Sequence, residues 1–317
     1  MSRKITLALP HSGIPTTEHL KFTSMKKTKK LREVAYLLWS RSPRRNLQRL
    51  LKPRSPTSSN EPSPSWCLST GRVGTQTLAE LANLSKDAVA VHEPTPKTFG
   101  LSKLSYQHEG DPISTETLQE AVRLLRQSLV EESGGRQFIE TSPQCTFLAP
   151  TLARLFPKAR FIHIVRHPAS VIRSGMRRGW YAGHIADPHR LTPKAGRFQE
   201  EWPRMTPFQK NVWRWYETNR WILNFTDQHP AKTLLLRSED IFSGDAATLD
   251  KFYQFLGVQP PSRREIESVL GMQLNSQKGG EFPTLQDWSQ EDQEYLRRLG
   301  SDLAEEFGYP KKSPHLP

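Results

Sequence analysis

Apolar and polar positions follow one another in a regular succession of short apolar runs and amphipathic segments. Trp66-Cys67-Leu68 opens the series, and after two glycines Thr75 through Leu84 reads as a helix. Ala88-Val89-Ala90-Val91-His92 is a short strand that stops at Glu93-Pro94. Residues 115–132 place Leu118, Ala121, Val122, Leu125 and Leu129 on one helical face. Gln137-Phe138-Ile139-Glu140 predicts a strand, and Thr141-Ser142-Pro143 leads into a helix reaching Phe156. The run Phe161-Ile162-His163-Ile164-Val165 is bulky on both faces, which suits a central parallel strand. A helix follows from Pro168 to Arg178, then a tryptophan-rich helix over 207–228, a last strand from Lys232 to Leu236, and helices over 245–256, 262–270 and 289–307. Strands alternating with helices predict an α/β fold, three-layered, with a central parallel β-sheet flanked by helices.

Charge divides the 317 residues unevenly. Residues 1–60 hold 14 of the 45 Lys and Arg but only Glu18 and Glu33 as acids, leaving 31 basic against 30 acidic residues beyond them. The excess of +13 therefore belongs to an N-terminal arm, expected to lack a fold of its own apart from a basic helix over 31–51, broken at Ser42-Pro43. Such an arm suits an anionic membrane surface, or simply a solvated tail that packs on the domain. It is not expected to read a specific nucleic acid. A Pro- and Ser-rich linker over 53–65 joins it to the domain of residues 61–317. Nothing approaches the ~18 apolar residues of a membrane span, and the opening apolar run ends at Pro10, too soon for a secretory signal. A cytoplasmic protein, peripheral to a membrane if the arm binds one, is the expectation. Cys67 and Cys145 supply neither a disulfide framework nor a metal set.

Chemistry concentrates at two stretches. Ser69-Thr70-Gly71-Arg72-Val73-Gly74-Thr75-Gln76 joins the first strand to the first helix. Glycines let the backbone approach an anion closely, the helix dipole favours negative charge there, and Arg72 adds a full charge. No lysine occurs between Gly71 and Leu84, so the loop lacks the G-x-x-x-x-G-K-[ST] pattern of nucleoside-triphosphate binding. Taken alone, it would also suit an ordinary glycine turn. In the second stretch Arg166 stands at the end of the Phe161–Val165 strand, and Ser174 lies about two helical turns beyond it. Ligands of open parallel sheets collect at such strand ends, where the glycine loop, Glu93 and Glu140 also fall. A capping or salt-bridging role is the plainer alternative for Arg166.

Together these residues resemble the PAPS-dependent sulfotransferases, most closely the bacterial and carbohydrate-modifying branches. Ser69-Thr70-Gly71-Arg72-Val73-Gly74-Thr75 is similar to the loop that holds the 5′-phosphosulfate, and Arg166 with Ser174 is similar to the 3′-phosphate site. The resemblance runs from about residue 65 to 310 and includes Trp288-Ser289-Gln290-Glu291 and Phe307-Gly308-Tyr309. It implies a P-loop-like fold that uses PAPS without a metal and releases adenosine 3′,5′-bisphosphate. Arg72 replaces the lysine many members carry, and Gln76 a frequent Thr or Ser. By resemblance Arg72 would neutralise the leaving oxygen. Glu93 would be the base, with His92 second because a neighbouring strand residue points to the opposite face. Lys278, in Lys278-Gly279-Gly280, would close on the 3′-phosphate. Glu140 or Ser142 would touch acceptor or cofactor, unless Ser142 is a helix cap.

The acceptor is expected to be a hydroxyl compound, a glycan or small metabolite. Residues 179–210 form a long segment suited to a lid or binding surface. Trp213, Trp215 and Trp221 could stack on sugar rings, although at helical spacing they also read as core. A P-loop kinase and a non-catalytic protein binding RNA or lipid through its arm are the competing readings.

Overall fold

A computed structural model describes residues 63–272 and 285–310. The basic arm, its helix and Lys278 lie outside the described residues. Five strands form one parallel sheet: β1 (Ser65–Leu68), β2 (Ala88–Val91), β3 (Gln137–Glu140), β4 (Arg160–Val165) and β5 (Thr233–Arg237), in the order β2-β3-β1-β4-β5. Leu68 pairs with His163, Trp66 and Val91 with Glu140, and Val165 with Arg237, so all five strands run out at the same edge.

Period-two alternation sends side chains of each central strand to opposite faces. Cys67, Ile139, Ile162 and Ile164 join one core with α1 (Thr75–Asn83) and α9 (Ala246–Leu256). Trp66, Leu68, Phe138 and Phe161 join another with α3 (Pro112–Glu131), α4 (Ala149–Leu155) and α7 (Pro207–Asp227). The result is the three-layer α/β arrangement expected from the pattern. Burying each large side chain contributes roughly 1.5–3 kcal/mol. Trp213 and Trp215 are core residues of α7. Among the described residues no helix is long and apolar enough to cross a membrane.

Several elements depart from the pattern. Asp111 accepts from the Ser114 N–H at 2.9 Å and Pro112 fills the first turn, so α3 begins earlier than residue 115. After Pro143 the chain makes a short 3-10 turn, Pro143–Leu148, before α4. Pro150 has no N–H to return to Thr146, which divides the two. Residues 179–206 are not a bare loop: a 3-10 turn at Asp187–His189 and the helix Arg197–Glu201 punctuate them. Trp180, Leu191 and Met205 are buried there. A helix over Phe99–Gln107 (α2) and another over Ser238–Phe242 were not expected.

His163, inside β4, donates from Nε2 to Asn219 Oδ1 at 3.0 Å, since the Asn219 amide nitrogen already donates to the Trp215 carbonyl. Burial pulls its imidazole down to about 4. The fold therefore accommodates the neutral ring, while the unfolded chain protonates near 6.5. Stability is full above about pH 6.5 and declines as pH falls toward 4, because the unfolded state takes up the proton first. Urea unfolding should show a loss of up to ~2 kcal/mol from this group between pH 6.5 and 5. His163→Gln should flatten that part of the pH profile; an unchanged slope would refute the assignment.

Candidate active site

The loop after β1 is fixed from three sides. The Thr146 hydroxyl accepts from the Ser69 N–H at 2.9 Å and donates to the Ser69 carbonyl at 3.0 Å. Ser238 Oγ donates to the Val73 carbonyl at 2.8 Å, and Arg166 Nη1 donates to the Arg72 carbonyl at 3.1 Å. Gly74 has φ +86°, a conformation that demands glycine, and a Cβ there would also push against the exposed Phe242 ring. Arg72 also holds left-handed backbone, at φ 64°. Such a conformation costs a non-glycine residue about 1–2 kcal/mol and is retained chiefly where function needs it. Helix α1 starts without a side-chain cap and with no acid in its first turn, leaving its N-terminal dipole to an anion.

The two stretches singled out in the sequence converge here. β1 and β4 are hydrogen-bonded neighbours, so the loop and Arg166 emerge side by side. Arg72 Nε donates to Ser174 Oγ at 2.9 Å, across 102 positions of sequence. Trp215 Nε1 donates to the Arg166 carbonyl at 3.0 Å and fixes the start of the following helix, α5 (Pro168–Arg177). Burial first, then the charges of Arg178 and Arg166, pull Arg72 down to about 10, against a raising effect from Glu93. It remains a cation at neutral pH.

A cavity of about 460 Å³ opens at this edge. Ser69, Thr70, Gly71, Arg72, Gly74, Thr75 and Gln76 line it, together with His92, Glu93 and Arg166. Val73 does not; its side chain is in the core and its carbonyl anchors the loop. Ser174 reaches the site through Arg72. His92 and Glu93 both face the cavity, against the alternation argument: β2 ends at Val91 and Glu93 has φ 44°, so strand geometry no longer separates them. Lys97 Nζ donates to Glu93 Oε2 at 3.1 Å. His92 Nδ1 lies 2.9 Å from the Thr141 carbonyl, an acceptor only, so Nδ1 carries the proton and Nε2 keeps its lone pair.

Glu140 and Ser142 are not part of the lining. Glu140 is fully buried and pairs with Arg126 at 2.6 Å, and Ser142 accepts from the Gln144 N–H at 3.2 Å as a cap. The signal for that pair was present in sequence: Arg126 falls on the same four-residue spacing as the buried Leu118, Val122 and Val130. Of the opposite wall, sequence reading singled out only the 179–210 segment, as a lid or binding surface, and none of its individual cavity residues. Ser102 and Lys103 of α2, Arg178, Trp180, Arg190 and Arg214 supply that wall, brought in by tertiary packing that no short motif encodes. Among the described residues, six cationic side chains line the cavity against one carboxylate, Glu93. Among the described residues no group of three or more His, Cys, Asp or Glu could hold a metal.

Three solved structures are similar in fold. They are the sulfotransferase domain from the Synechococcus PCC 7002 olefin synthase (20% identity over 84% of this chain and 100% of that one, TM-score 0.44), that from the curacin biosynthetic pathway (19%, 82% and 100%, 0.47) and a sulfotransferase from Alicyclobacillus acidocaldarius (13%, 76% and 91%, 0.44). Comparison with curated protein sequences returns no match. A family model described as "Sulfotransferase family" matches residues 46–261, a span that takes in the glycine loop, Glu93, Arg166 and Ser174 but specifies no branch. Since that match covers well over half of its length, the chain belongs to the sulfotransferase family.

Proposed function

We propose that this protein transfers the sulfonyl group of PAPS to a hydroxyl of a glycan or small-metabolite acceptor and releases adenosine 3′,5′-bisphosphate. The observation that carries this reading is the meeting of Arg166, Arg72 and Ser174 through two hydrogen bonds at the ends of β1 and β4. One anion site at the loop and α1 N-terminus, with a second at Arg166, matches a nucleotide with phosphates at both 5′ and 3′ positions. Arg72 and Arg166 suit its charge, and the loop lacks the lysine that a kinase of this fold would use.

In this reading the loop amides and Arg72 hold the 5′-phosphosulfate, and Arg166 holds the 3′-phosphate in a bidentate fork. The acceptor oxygen forms its bond to sulfur as the bond from sulfur to the bridging phosphate oxygen breaks. Arg72 stabilises the charge on that departing oxygen but does not protonate it, since arginine keeps its proton in proteins. Glu93, the one carboxylate of the cavity among the described residues, takes the hydroxyl proton: Lys97 holds Oε2 and leaves Oε1 for the acceptor. A second reading gives the base role to Nε2 of His92, on the strength of its fixed tautomer.

Incubating the full chain with PAPS and a panel of hydroxylated metabolites and glycans should yield products heavier by one sulfonyl group in mass spectra. Turnover should survive EDTA, because arginines and amides carry the cationic work. ATP-dependent phosphorylation, or loss on chelation restored by magnesium, would overturn the proposal.

A further inference from the structure

The cavity's cations fall into two groups. Arg72 feels the charges of Arg166 and Glu93, beside the loop, and of Arg178 on the opposite wall. Arg214 of α7 feels Tyr181 and Arg190, and among the described residues no carboxylate is one of its charge neighbours. Both of the latter arginines lie over the Trp180 ring, Arg190 at 4.3 Å and Arg214 at 4.6 Å from its centroid. Trp180 is buried, so it serves as a spacer for two guanidiniums rather than as a platform for a sugar. Asp187 pairs with Arg190 at 2.8 Å, which offsets one of the two charges and leaves that of Arg214. The His184 Nδ1 accepts from the Ala186 N–H at 3.0 Å, so the proton of the neutral ring is on Nε2, a further donor in the lining. Lys103 reaches the same segment, donating to the Pro188 carbonyl at 2.9 Å.

Arg190 has Asp187 as its acid, whereas Arg214 has none among the described residues, and a cleft walled by one sign of charge concentrates ligands of the other. The nucleotide's phosphates are accounted for by the loop and Arg166. We propose that the acceptor carries an oxyanion (carboxylate, sulfate or phosphate) in addition to its reacting hydroxyl, and that Arg214 holds that group at the Trp180 end of the cavity. This rests on the sulfotransferase reading for the hydroxyl, but the anion site is built from different residues.

The test uses the full chain saturated with adenosine 3′,5′-bisphosphate and titrated calorimetrically with acid and neutral pairs. The pairs are methyl glucuronide against methyl glucoside, 4-hydroxyphenylacetate against its methyl ester, and 3-hydroxybutyrate against its methyl ester. At least one acid should bind about tenfold or more tightly than its partner, as one charge-assisted contact implies. Arg214→Gln should erase that preference with bisphosphate affinity kept within a few-fold, and Arg214→Lys should restore part of it. If no acid exceeds its neutral partner, or if the preference survives Arg214→Gln, the inference is wrong. The wild-type comparison stands even if the glutamine variant misfolds. A chain that does not bind the bisphosphate at all overturns the sulfotransferase reading instead.

Discussion

Arg166→Ala is expected to abolish a preference for adenosine 3′,5′-bisphosphate over 5′-AMP. The wild-type chain should favour the bisphosphate by about 10- to 100-fold, because charge-assisted hydrogen bonds to the 3′-phosphate are worth about 1.5–3 kcal/mol each. Arg166 is placed for that role by the end of β4 and by Trp215, which fixes its backbone. Its guanidinium also donates to the Arg72 carbonyl, so the substitution frees one loop contact. AMP affinity separates the two effects: if only the 3′-site is lost, AMP binding stays within a few-fold. A general loosening of the loop would weaken both nucleotides together. Arg166→Lys keeps a point charge but not the fork, and should fall between the two. Calorimetry with both nucleotides decides, and equal wild-type affinities would remove Arg166 from the donor site.

The parts of this fold written in local chemistry were legible. The glycine loop could be read because apolar strand, two glycines and helix occur in one short stretch. β4 could be read because every position but its first is buried. Helix α2 left no such trace: its buried positions are Ser102 and Tyr106, so no apolar stripe marks it. The Ser238–Phe242 helix is five residues long and buries only Ser238 and Ile241. The wall carrying Trp180 is fixed by contacts distant in sequence, such as the Asn211 amide donating to the Trp180 carbonyl at 3.2 Å. The loop side of the cavity was therefore legible in motifs, whereas the opposite wall, foreshadowed only by the 179–210 segment, took shape once α2, α7 and that segment were packed together. Period-two reasoning at His92 and Glu93 failed for a related reason. It holds inside a strand, and β2 stops one residue before the pair.

That failure sets the remaining question, since it leaves two bases facing one cavity. If Glu93 takes the proton, Glu93→Gln keeps shape and hydrogen-bonding reach but loses the acceptor, and kcat should fall ~10²–10⁴-fold. Bisphosphate affinity should stay within a few-fold, because the loop's own anchors, Thr146, Ser238 and Arg166, do not pass through Glu93. If Glu93 is instead a counter-ion for Lys97, Arg72 and Arg178, the same change should alter nucleotide Kd and spare kcat. His92→Ala is the matched control. With Glu93 as base it should retain a substantial rate, reflecting lost packing and the unpaired Thr141 carbonyl. A normal kcat in Glu93→Gln beside an inactive His92→Ala would transfer the role to the histidine. The physical reason would then be the carbonyl that fixes its tautomer, with the carboxylate left to balance the arginines around the leaving group.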